Sequence, residues 1–248
     1  MPESVDKQRM PKNTLIVAHR GISSLYPENT LIAFRKAMEL GVDFIELDIQ
    51  ASRDGELVVI HDSMLDRTTE GKGNVCQHSL KEIKKYSAGK WFSPSFEKEK
   101  VPTLQEVFEL TKKQIKLRIE IKQSGIEKKL LDLIQRYEMT DQVVCGSFFI
   151  ESIAQIRRQN PFIPVTFIAS FLEREYLKEL LAKNINMIDM IFCNLTPALL
   201  KDCHSYGFAT DVWTVNEEKE LQKALKMGIA AITTNYPQRL KKLLEEQE

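Results

Sequence analysis

The sequence predicts an α/β protein with a parallel sheet, and three features support this fold class. Short β-rich apolar runs alternate with longer segments of helical periodicity along almost the whole chain. Most connections between the apolar runs are long enough for the crossovers that parallel strands need. The length of 248 residues suits one β/α barrel. We therefore expect a TIM-type (β/α)8 barrel that forms a single domain over residues 1–248.

Nine segments have strand character, which is one more than an eight-stranded barrel requires. The predicted strands are residues 15–18, 44–49, 57–60, 115–121, 143–147, 165–169, 188–193, 209–215 and 230–234. The surplus strand is 57–60, because the preceding connection is too short for a crossover and contains Asp54-Gly55, a strong hairpin signal. A turn centred between Asp54 and Gly55 predicts that His61 lies opposite Asp48.

Between the strands, apolar residues recur at helical spacing, as in residues 31–38 and 130–137. Residues 63–102 break this pattern, because they combine threonines, glycines and a proline with a lysine-rich run. This stretch is too long for a simple loop. We expect it to be a small insertion after the strand that carries His61, near the active-site mouth, with a short helix at about residues 80–86.

The composition excludes several classes of partner. With 35 basic and 35 acidic residues, the net charge of zero gives no general attraction to nucleic acid or to an anionic membrane. No secretory signal or long apolar span is present in the sequence, so we expect a cytoplasmic protein without stable membrane insertion. The four scattered cysteines predict reduced thiols rather than disulfides or a zinc site. The oligomeric state is left open.

The first predicted strand ends in His19 and Arg20, before Gly21. In a β/α barrel the carboxyl ends of the strands form the active-site face, and arginine can bind phosphate through two parallel hydrogen bonds. Taken alone, His19 is more often a structural histidine and Arg20 a surface residue. Their position at the end of a buried strand favours an anion site.

Acidic residues alternate with apolar ones on two other predicted strands. Glu46 and Asp48 share one face of the second strand, and Glu120 shares a face with Arg118 and Lys122 on a later one. Inward carboxylates are costly unless a cation compensates them, and oxygen ligands suit Mg²⁺ or Ca²⁺. Lys122 is a candidate phosphate ligand. The alternatives are a solvated edge strand for the first pair and a Lys-Glu ion pair for the second, and Arg118 is taken as structural.

His61 closes the predicted hairpin strand, so two of the four histidines lie at strand ends. Cleavage of a phosphodiester needs one group to deprotonate the nucleophile and another to protonate the leaving oxygen, which favours His19 and His61 as an acid/base pair. Trp213 ends a late strand and is a candidate substrate wall, with core packing as the alternative. His78 and His204 lack such a context.

Several motifs occur in a characteristic order: HRG at 19–21, PENT at 27–30, GVDFIELDIQ at 41–50, DGELVVIHD at 54–62, LDRTTEGKG at 65–73, IEIK at 119–122 and VWTVN at 212–216. In these motifs the chain resembles the glycerophosphodiester phosphodiesterase family over nearly its full length. The resemblance implies a TIM barrel that hydrolyses glycerophosphodiesters to glycerol 3-phosphate and an alcohol.

The resemblance also implies the roles of individual residues. His19 and His61 would be the acid/base pair, and Arg20 and Lys122 would bind the phosphate. The divalent metal, Mg²⁺ or Ca²⁺, would be held by three carboxylates: Glu46, Asp48 and Glu120. The alternatives are a lysophospholipase D that acts on lysolipids and a catalytically silent barrel that serves as a binding module. One departure is Asn235, which stands where the family usually has aspartate.

Overall fold

In the computed structural model, which describes residues 14–246, the predicted strand segments form one sheet of nine strands. The strands are β1 (Leu15–Ala18), β2 (Phe44–Ala51), β3 (Leu57–Val59), β4 (Lys116–Ile121), β5 (Val143–Ser147), β6 (Val165–Ala169), β7 (Met187–Ile191), β8 (Ala209–Trp213) and β9 (Ala231–Thr234). The α-helices are α1 (Leu31–Leu40), α2 (Leu80–Ile83), α3 (Leu104–Thr111), α4 (Glu127–Arg136), α5 (Ile150–Gln159), α6 (Tyr176–Ala182), α7 (Pro197–Ser205), α8 (Glu218–Met227) and α9 (Pro237–Glu245).

Eight of the strands run parallel and close into a barrel. The order is β1-β9-β8-β7-β6-β5-β4-β2, and the pairing of β1 with β2 completes the ring. The predicted TIM-type barrel is therefore confirmed. The predicted strand 188–193 is too long, because its last two residues belong to a 3₁₀ turn, Phe192–Asn194. The single-domain prediction for residues 1–248 stays a prediction, and residues 1–13 and 247–248 lie outside the described part.

The surplus strand β3 is antiparallel to the carboxyl-terminal half of β2, as the short connection predicts. The predicted register, however, is wrong by one residue. Ile49 pairs with Val59, and the Ile60 amide donates to the Asp48 carbonyl at 3.0 Å, so Ile60 rather than His61 faces Asp48.

The reason for the shifted register is the geometry of the hairpin loop. Ser52 and Glu56 close the turn, since the Ser52 amide donates to the Glu56 carbonyl at 2.9 Å. The loop is therefore residues 53–55, centred on Asp54, with Gly55 at a φ of 77°. A three-residue loop that ends in a left-handed residue is a common hairpin type, and it moves the centre of the turn by half a residue.

Local signals fix the first helix beside the barrel mouth. The Thr30 side chain accepts a hydrogen bond from the Ala33 amide, and Gly41 ends the helix in the left-handed conformation at a φ of 74°. Phe34 and Ala37 are fully buried in the apolar layer between helices and barrel. As a result, the β1-α1 connection, residues 19–30, is anchored at both ends.

Residues 60–103 connect β3 to α3 and form a small apolar cluster with one residue of β3. Its buried members are Val58, Ile60, Leu65, Val75, Ile83, Ala88 and Val101. The helix predicted at about residues 80–86 is the shorter α2, which begins with a capping box between Ser79 and Glu82. In the described part of the chain, residues 14–246, no helix is long and apolar enough to span a membrane.

The barrel interior is layered from the amino-terminal ends of the strands to their carboxyl-terminal ends. An apolar cluster closes the amino-terminal end, and its members are Val17, Phe44, Val144, Ala231 and the partly buried Met187. Above it, the buried Arg118 donates to Asp189 at 2.9 Å and to Asp211 at 2.6 Å, while its guanidinium lies 5.8 Å from the centre of the Phe44 ring. Burial raises the pKa of Asp189 to about 6 in spite of the facing guanidinium.

Replacing Arg118 by methionine should destabilise the folded protein by about 3–5 kcal/mol, because Asp189 and Asp211 would be left as buried carboxylates without their cation. Arg53→Met is the matched control, since the Arg53 side chain is exposed and pairs with Glu82. That pair should contribute less than about 1 kcal/mol. Denaturant unfolding followed by circular dichroism measures both changes. Similar stability losses in the two variants would contradict a structural role for the ion pairs of Arg118 with Asp189 and Asp211.

Candidate active site

Three buried carboxylates lie side by side at the barrel mouth. Glu46 and Asp48 project from the same face of β2, and Asp48 is the register partner of Glu120 on β4. One oxygen atom from each of the three residues lies within 4.8 Å of the others. The strand periodicity therefore brings together the acidic groups that the sequence predicted.

Two cations surround these carboxylates. Arg20 Nε lies 3.2 Å from Asp48 Oδ2, and the Arg20 amide donates to Glu46 Oε2 at 2.9 Å. Lys122 Nζ lies 3.1 Å from Asp48 Oδ1 and 2.5 Å from Glu120 Oε1. Two positive charges thus face three acidic groups, which leaves one negative charge without a partner in this cluster.

The pKa values of the carboxyls reflect this imbalance. Burial and the neighbouring Asp48 raise the pKa of Glu46 well above its usual value, and the same causes raise the pKa of Glu120 to about 7. Burial also opposes ionisation of Asp48, but Lys122 and Arg20 outweigh it and lower its pKa. The three carboxyls therefore cannot all ionise easily without further positive charge.

This site fits a divalent cation. Glu46 Oε1, Asp48 Oδ1 and Glu120 Oε1 are buried and accept no hydrogen bond from the described residues, although Lys122 lies at ion-pair distance from two of them. Buried acceptors without donors are costly, and carboxylate oxygens are the ligands that Mg²⁺ and Ca²⁺ prefer. A bound divalent ion would satisfy these oxygens and supply the missing positive charge.

His19 follows β1 and is held by a residue near the end of the chain. Its Nδ1 lies 2.6 Å from Asn235 Oδ1, which also accepts from Ser23 Oγ at 2.9 Å. An amide oxygen can only accept, so Nδ1 donates and the Nε2 lone pair is left 4.0 Å from Glu46 Oε2. Burial, with Arg20, lowers the pKa of His19 to about 4, which keeps the imidazole neutral near pH 7. The Asn235 departure thus falls on a residue that contacts His19 directly.

His61 follows β3, and a side chain of β2 holds its backbone. Gln50 Nε2 donates to the carbonyls of Ile60, His61 and Asp62 at 3.2, 3.0 and 2.5 Å. His61 Nδ1 lies 2.6 Å from Asp62 Oδ1, and His61 Nε2 has no hydrogen-bond partner within residues 14–246. Burial lowers the pKa of His61, against the opposing charge of Asp48. The two histidines are therefore arranged alike, each with Nδ1 bonded to a neighbour.

The predicted site residues surround one cavity of about 100 Å³. Its lining comprises His19, Arg20, Glu46, His61, Glu120 and Lys122, an apolar wall of Phe148, Ile168 and Trp213, and a floor of Arg118, Asp189 and Thr233. Trp213 packs edge-on against Phe148 at 5.7 Å and donates from Nε1 to the Asp189 carbonyl at 3.1 Å. Asp48 contacts both cations of this cavity. Among the described residues, no histidine lines the wider groove of about 430 Å³ beside α6.

The sequence interpretation did not assign roles to several residues around this cavity: Glu28, Asn29, Gln50, Asp62 and Arg67. Asn29 Nδ2 donates to Asp48 Oδ2 at 2.8 Å. Arg20 and Asn29 both have a φ of 56°, which is an uncommon conformation for residues other than glycine and often marks a functional site. The available signal was the position of these residues inside the PENT, GVDFIELDIQ, DGELVVIHD and LDRTTEGKG motifs.

Comparison with known proteins agrees with this geometry. Residues 19–239 match the glycerophosphoryl diester phosphodiesterase family. The chain belongs to this family. The prediction of a phosphodiesterase of the glycerophosphodiester phosphodiesterase family is thereby confirmed.

Two curated relatives in the family extend over most of the chain. A glycerophosphodiester phosphodiesterase of Caldanaerobacter subterraneus is 38% identical over 239 residues, covering 94% of this chain and 98% of the relative. A glycerophosphodiester phosphodiesterase of Bacillus subtilis is 32% identical over 249 residues, covering 92% of this chain and 85% of the relative. Among solved structures, an Oleispira antarctica phosphodiesterase in complex with the product sn-glycerol-3-phosphate superposes with a TM-score of 0.89 at 26% identity, covering 95% of this chain and 97% of that one.

Addition of Mg²⁺ or Ca²⁺ should raise the melting temperature of the protein, because a ligand that binds only the folded state stabilises it. The gain is about 2.7 kcal/mol at a ligand concentration 100 times Kd. Glu46→Gln combined with Asp48→Asn should abolish this shift. The control is Glu173→Gln with Glu175→Gln, two exposed carboxylates in the groove beside α6. Thermal melts with and without each ion make the measurement, and equal shifts in both double variants would contradict the proposed ligands.

Proposed function

We propose that the protein hydrolyses glycerophosphodiesters to glycerol 3-phosphate and the free alcohol. The observation that carries this proposal is the convergence of two histidines, three buried carboxylates and two cations on one cavity. The Oleispira relative, whose structure contains sn-glycerol-3-phosphate, supports the same product class. Family membership makes the diester linkage the natural substrate bond.

Arg20 and Lys122 are placed to bind the phosphate. Both line the cavity, and both already carry out charge compensation beside Asp48. Mg²⁺ or Ca²⁺ held by Glu46, Asp48 and Glu120 would supply additional positive charge to the phosphoryl oxygens. Preorganised positive charge of this kind is usually the largest contribution to catalysis at a phosphoryl centre.

The two histidines supply the proton transfers. One accepts the proton of the attacking hydroxyl, which is a water or the glycerol 2-hydroxyl, as a new P–O bond forms. If the 2-hydroxyl attacks, this step gives a cyclic phosphate, and water must then open the ring to give glycerol 3-phosphate. The other histidine must enter the step as an imidazolium with a proton on both ring nitrogens, and it donates the Nε2 proton to the alcohol oxygen as the old P–O bond breaks. His19 and His61 both line the cavity, and each has a side-chain acceptor on Nδ1 that leaves Nε2 available for this exchange.

The shape of the cavity supports inward binding of the glycerol half. A cavity of about 100 Å³ suits a small polyol better than a bulky head group. Phe148 and Trp213 form an apolar wall for the carbon skeleton. The alcohol would then project outward, so the enzyme should accept several alcohols.

A catalytically silent barrel is disfavoured by the completeness of the site. Both histidines and all three carboxylates are present and close together, whereas a binding module has no need to keep this costly set. A cytoplasmic location stays a prediction from the sequence.

Lysolipids are the second candidate substrate, because large apolar side chains are exposed around the barrel mouth. Phe149 is 50% exposed after β5, and Phe171 is 71% exposed after β6. Trp91, in the segment that follows β3, is 41% exposed. Its neighbour Phe96 does pack, at 5.8 Å from the Tyr26 ring. Exposed apolar groups on several loops of one face are a feature of proteins that contact lipid.

Replacing either histidine by alanine should lower kcat by about 10²- to 10⁴-fold, since general acid/base groups contribute that much. Folding should be preserved, because neither imidazole belongs to the apolar core. His204→Ala is the control, as His204 is exposed on α7. Steady-state kinetics on glycerophosphocholine make the measurement. Retention of more than about a tenth of the wild-type kcat in both variants would contradict the acid/base assignment.

We expect glycerophosphocholine to be hydrolysed in preference to lysophosphatidylcholine, because the cavity is small and is lined by charged side chains such as Arg20, Glu120 and Lys122. The test compares kcat/KM for the two substrates, with the lysolipid below its micellar concentration, since this ratio measures differential transition-state binding. Phe149→Ser with Phe171→Ser should leave the rate on glycerophosphocholine unchanged. A preference for the lysolipid of tenfold or more, about 1.4 kcal/mol, would favour the lysophospholipase D alternative instead.

A further inference from the structure

Arg67, in the segment that follows β3, binds two carboxylates at once. Its Nε and Nη2 donate to Asp62 at 2.7 and 3.1 Å. Its Nη1 and Nη2 donate to Glu28 at 2.8 Å each. Both carboxylates are thus held by two parallel hydrogen bonds, which is the strongest arrangement that a guanidinium offers. The sequence interpretation gave none of these three residues a function.

Each of these carboxylates contacts a residue of the catalytic cavity. Asp62 Oδ1 lies 2.6 Å from His61 Nδ1, and Glu28 Oε1 accepts from Arg20 Nη1 at 2.8 Å. Arg67 therefore joins the supports of the second histidine and of the phosphate-binding arginine. Arg67 itself does not line the cavity, so its contact with the two supported residues runs through Asp62 and Glu28.

The two carboxylates, Asp62 and Glu28, depend on the Arg67 guanidinium to stay ionised side by side. Hydrogen bonds from Arg67 lower the pKa of Asp62 to about 2. Burial favours the neutral form of Glu28, but Arg67 and Arg20 outweigh it and lower its pKa. Without Arg67, the ionised carboxylates of Asp62 and Glu28, which now share one guanidinium, would repel each other. If the two carboxylates moved apart, the His61 imidazole and the Arg20 guanidinium that they bind would move as well.

The backbone around Arg67 is held firmly enough to position a side chain. Leu65 is fully buried in the apolar cluster of residues 60–103, and its amide donates to the Gly73 carbonyl at 3.0 Å. Thr69 Oγ1 donates to the Leu65 carbonyl at 2.6 Å. An isolated ion pair on an exposed, mobile chain would contribute little. Arg67 is 43% exposed, but it projects from this anchored turn.

We propose that Arg67 is a positioning residue that orients the His61 imidazole and the Arg20 guanidinium together, and so couples residues 63–102 to the reaction. In its effect on turnover, this inference rests on the proposed phosphodiesterase function. Its effect on the His61 imidazole does not depend on which substrate is used.

Arg67→Met should lower kcat by about 10- to 100-fold and raise KM several-fold, because misplacement of a catalytic group by about 1 Å costs up to 10²-fold. The contacts through Asp62 and through Glu28 should have different kinetic effects. Asp62→Asn should lower kcat with little change in KM, since it acts through His61, whereas Glu28→Gln should mainly raise KM through Arg20. Arg67→Lys should recover only part of the loss, because an ammonium cannot bind both carboxylates bidentately.

The coupling can be measured by a double-mutant cycle on glycerophosphocholine. The double variant Arg67→Met with Asp62→Asn should lose little more kcat than Arg67→Met alone, because both changes remove one support of His61. Arg53→Met is the control, since this exposed arginine pairs with Glu82 in the same part of the chain and should leave kcat unchanged. Additive losses, or a kcat for Arg67→Met within twofold of the wild type, would overturn the proposal.

A readout besides activity separates this proposal from the proposed function. The imidazole ¹⁵N resonances of His61 should move in Arg67→Met, while those of His78, which binds the Asn74 carbonyl, should stay in place. Unmoved His61 resonances would overturn the positioning role even if turnover fell. Failure of the wild type to hydrolyse any glycerophosphodiester would instead reject the proposed function, and the His61 resonances would still decide the role of Arg67.

Discussion

The negative charge buried at the carboxyl ends of β2 and β4 is the constraint on which the rest of the site depends. Glu46, Asp48 and Glu120 lie within 4.8 Å of one another, and such a cluster is stable only beside compensating positive charge. Arg20 and Lys122 supply part of that charge. The same need explains why the chain accepts a left-handed conformation at Arg20, whose amide then donates to Glu46. A divalent cation would neutralise the remaining negative charge. The carboxylates thereby gather at one place the positive groups that a phosphodiester needs.

The compensation extends outward from this cluster through alternating charges. Asp48 binds Arg20, and Arg20 binds Glu28. Glu28 and Asp62 both bind Arg67. Asp62 in turn contacts the imidazole of His61. The β1-α1 connection and the segment after β3 are therefore joined at the barrel mouth by ion pairs. The barrel is stabilised differently, by the apolar layer between strands and helices. The apolar layer can therefore stabilise the barrel, while the mouth carries buried charged groups that cost stability.

Much of this site could be predicted from the sequence, because strand periodicity is local. Alternation alone placed Glu46 and Asp48 on one face and Glu120 beside Lys122 on another. The position of His61 was less predictable, since the hairpin register depends on whether the loop is centred on Asp54 or between Asp54 and Gly55. The partners of Arg67 could not be predicted at all. They lie 5 and 39 positions away, and no periodicity relates residues in separate loops.

The sequence by itself determined the order of strands and helices, the α/β class and the face on which each candidate side chain of β2 and β4 projects, because backbone geometry fixes these within a few residues. The family motifs added the expected roles. Closure of the barrel decided the rest. It brought His19 to Asn235, 216 positions away, and set Arg118 between Asp189 and Asp211. Distances between such residues depend on how all eight strands pack into a ring, so they exist only once the chain has folded.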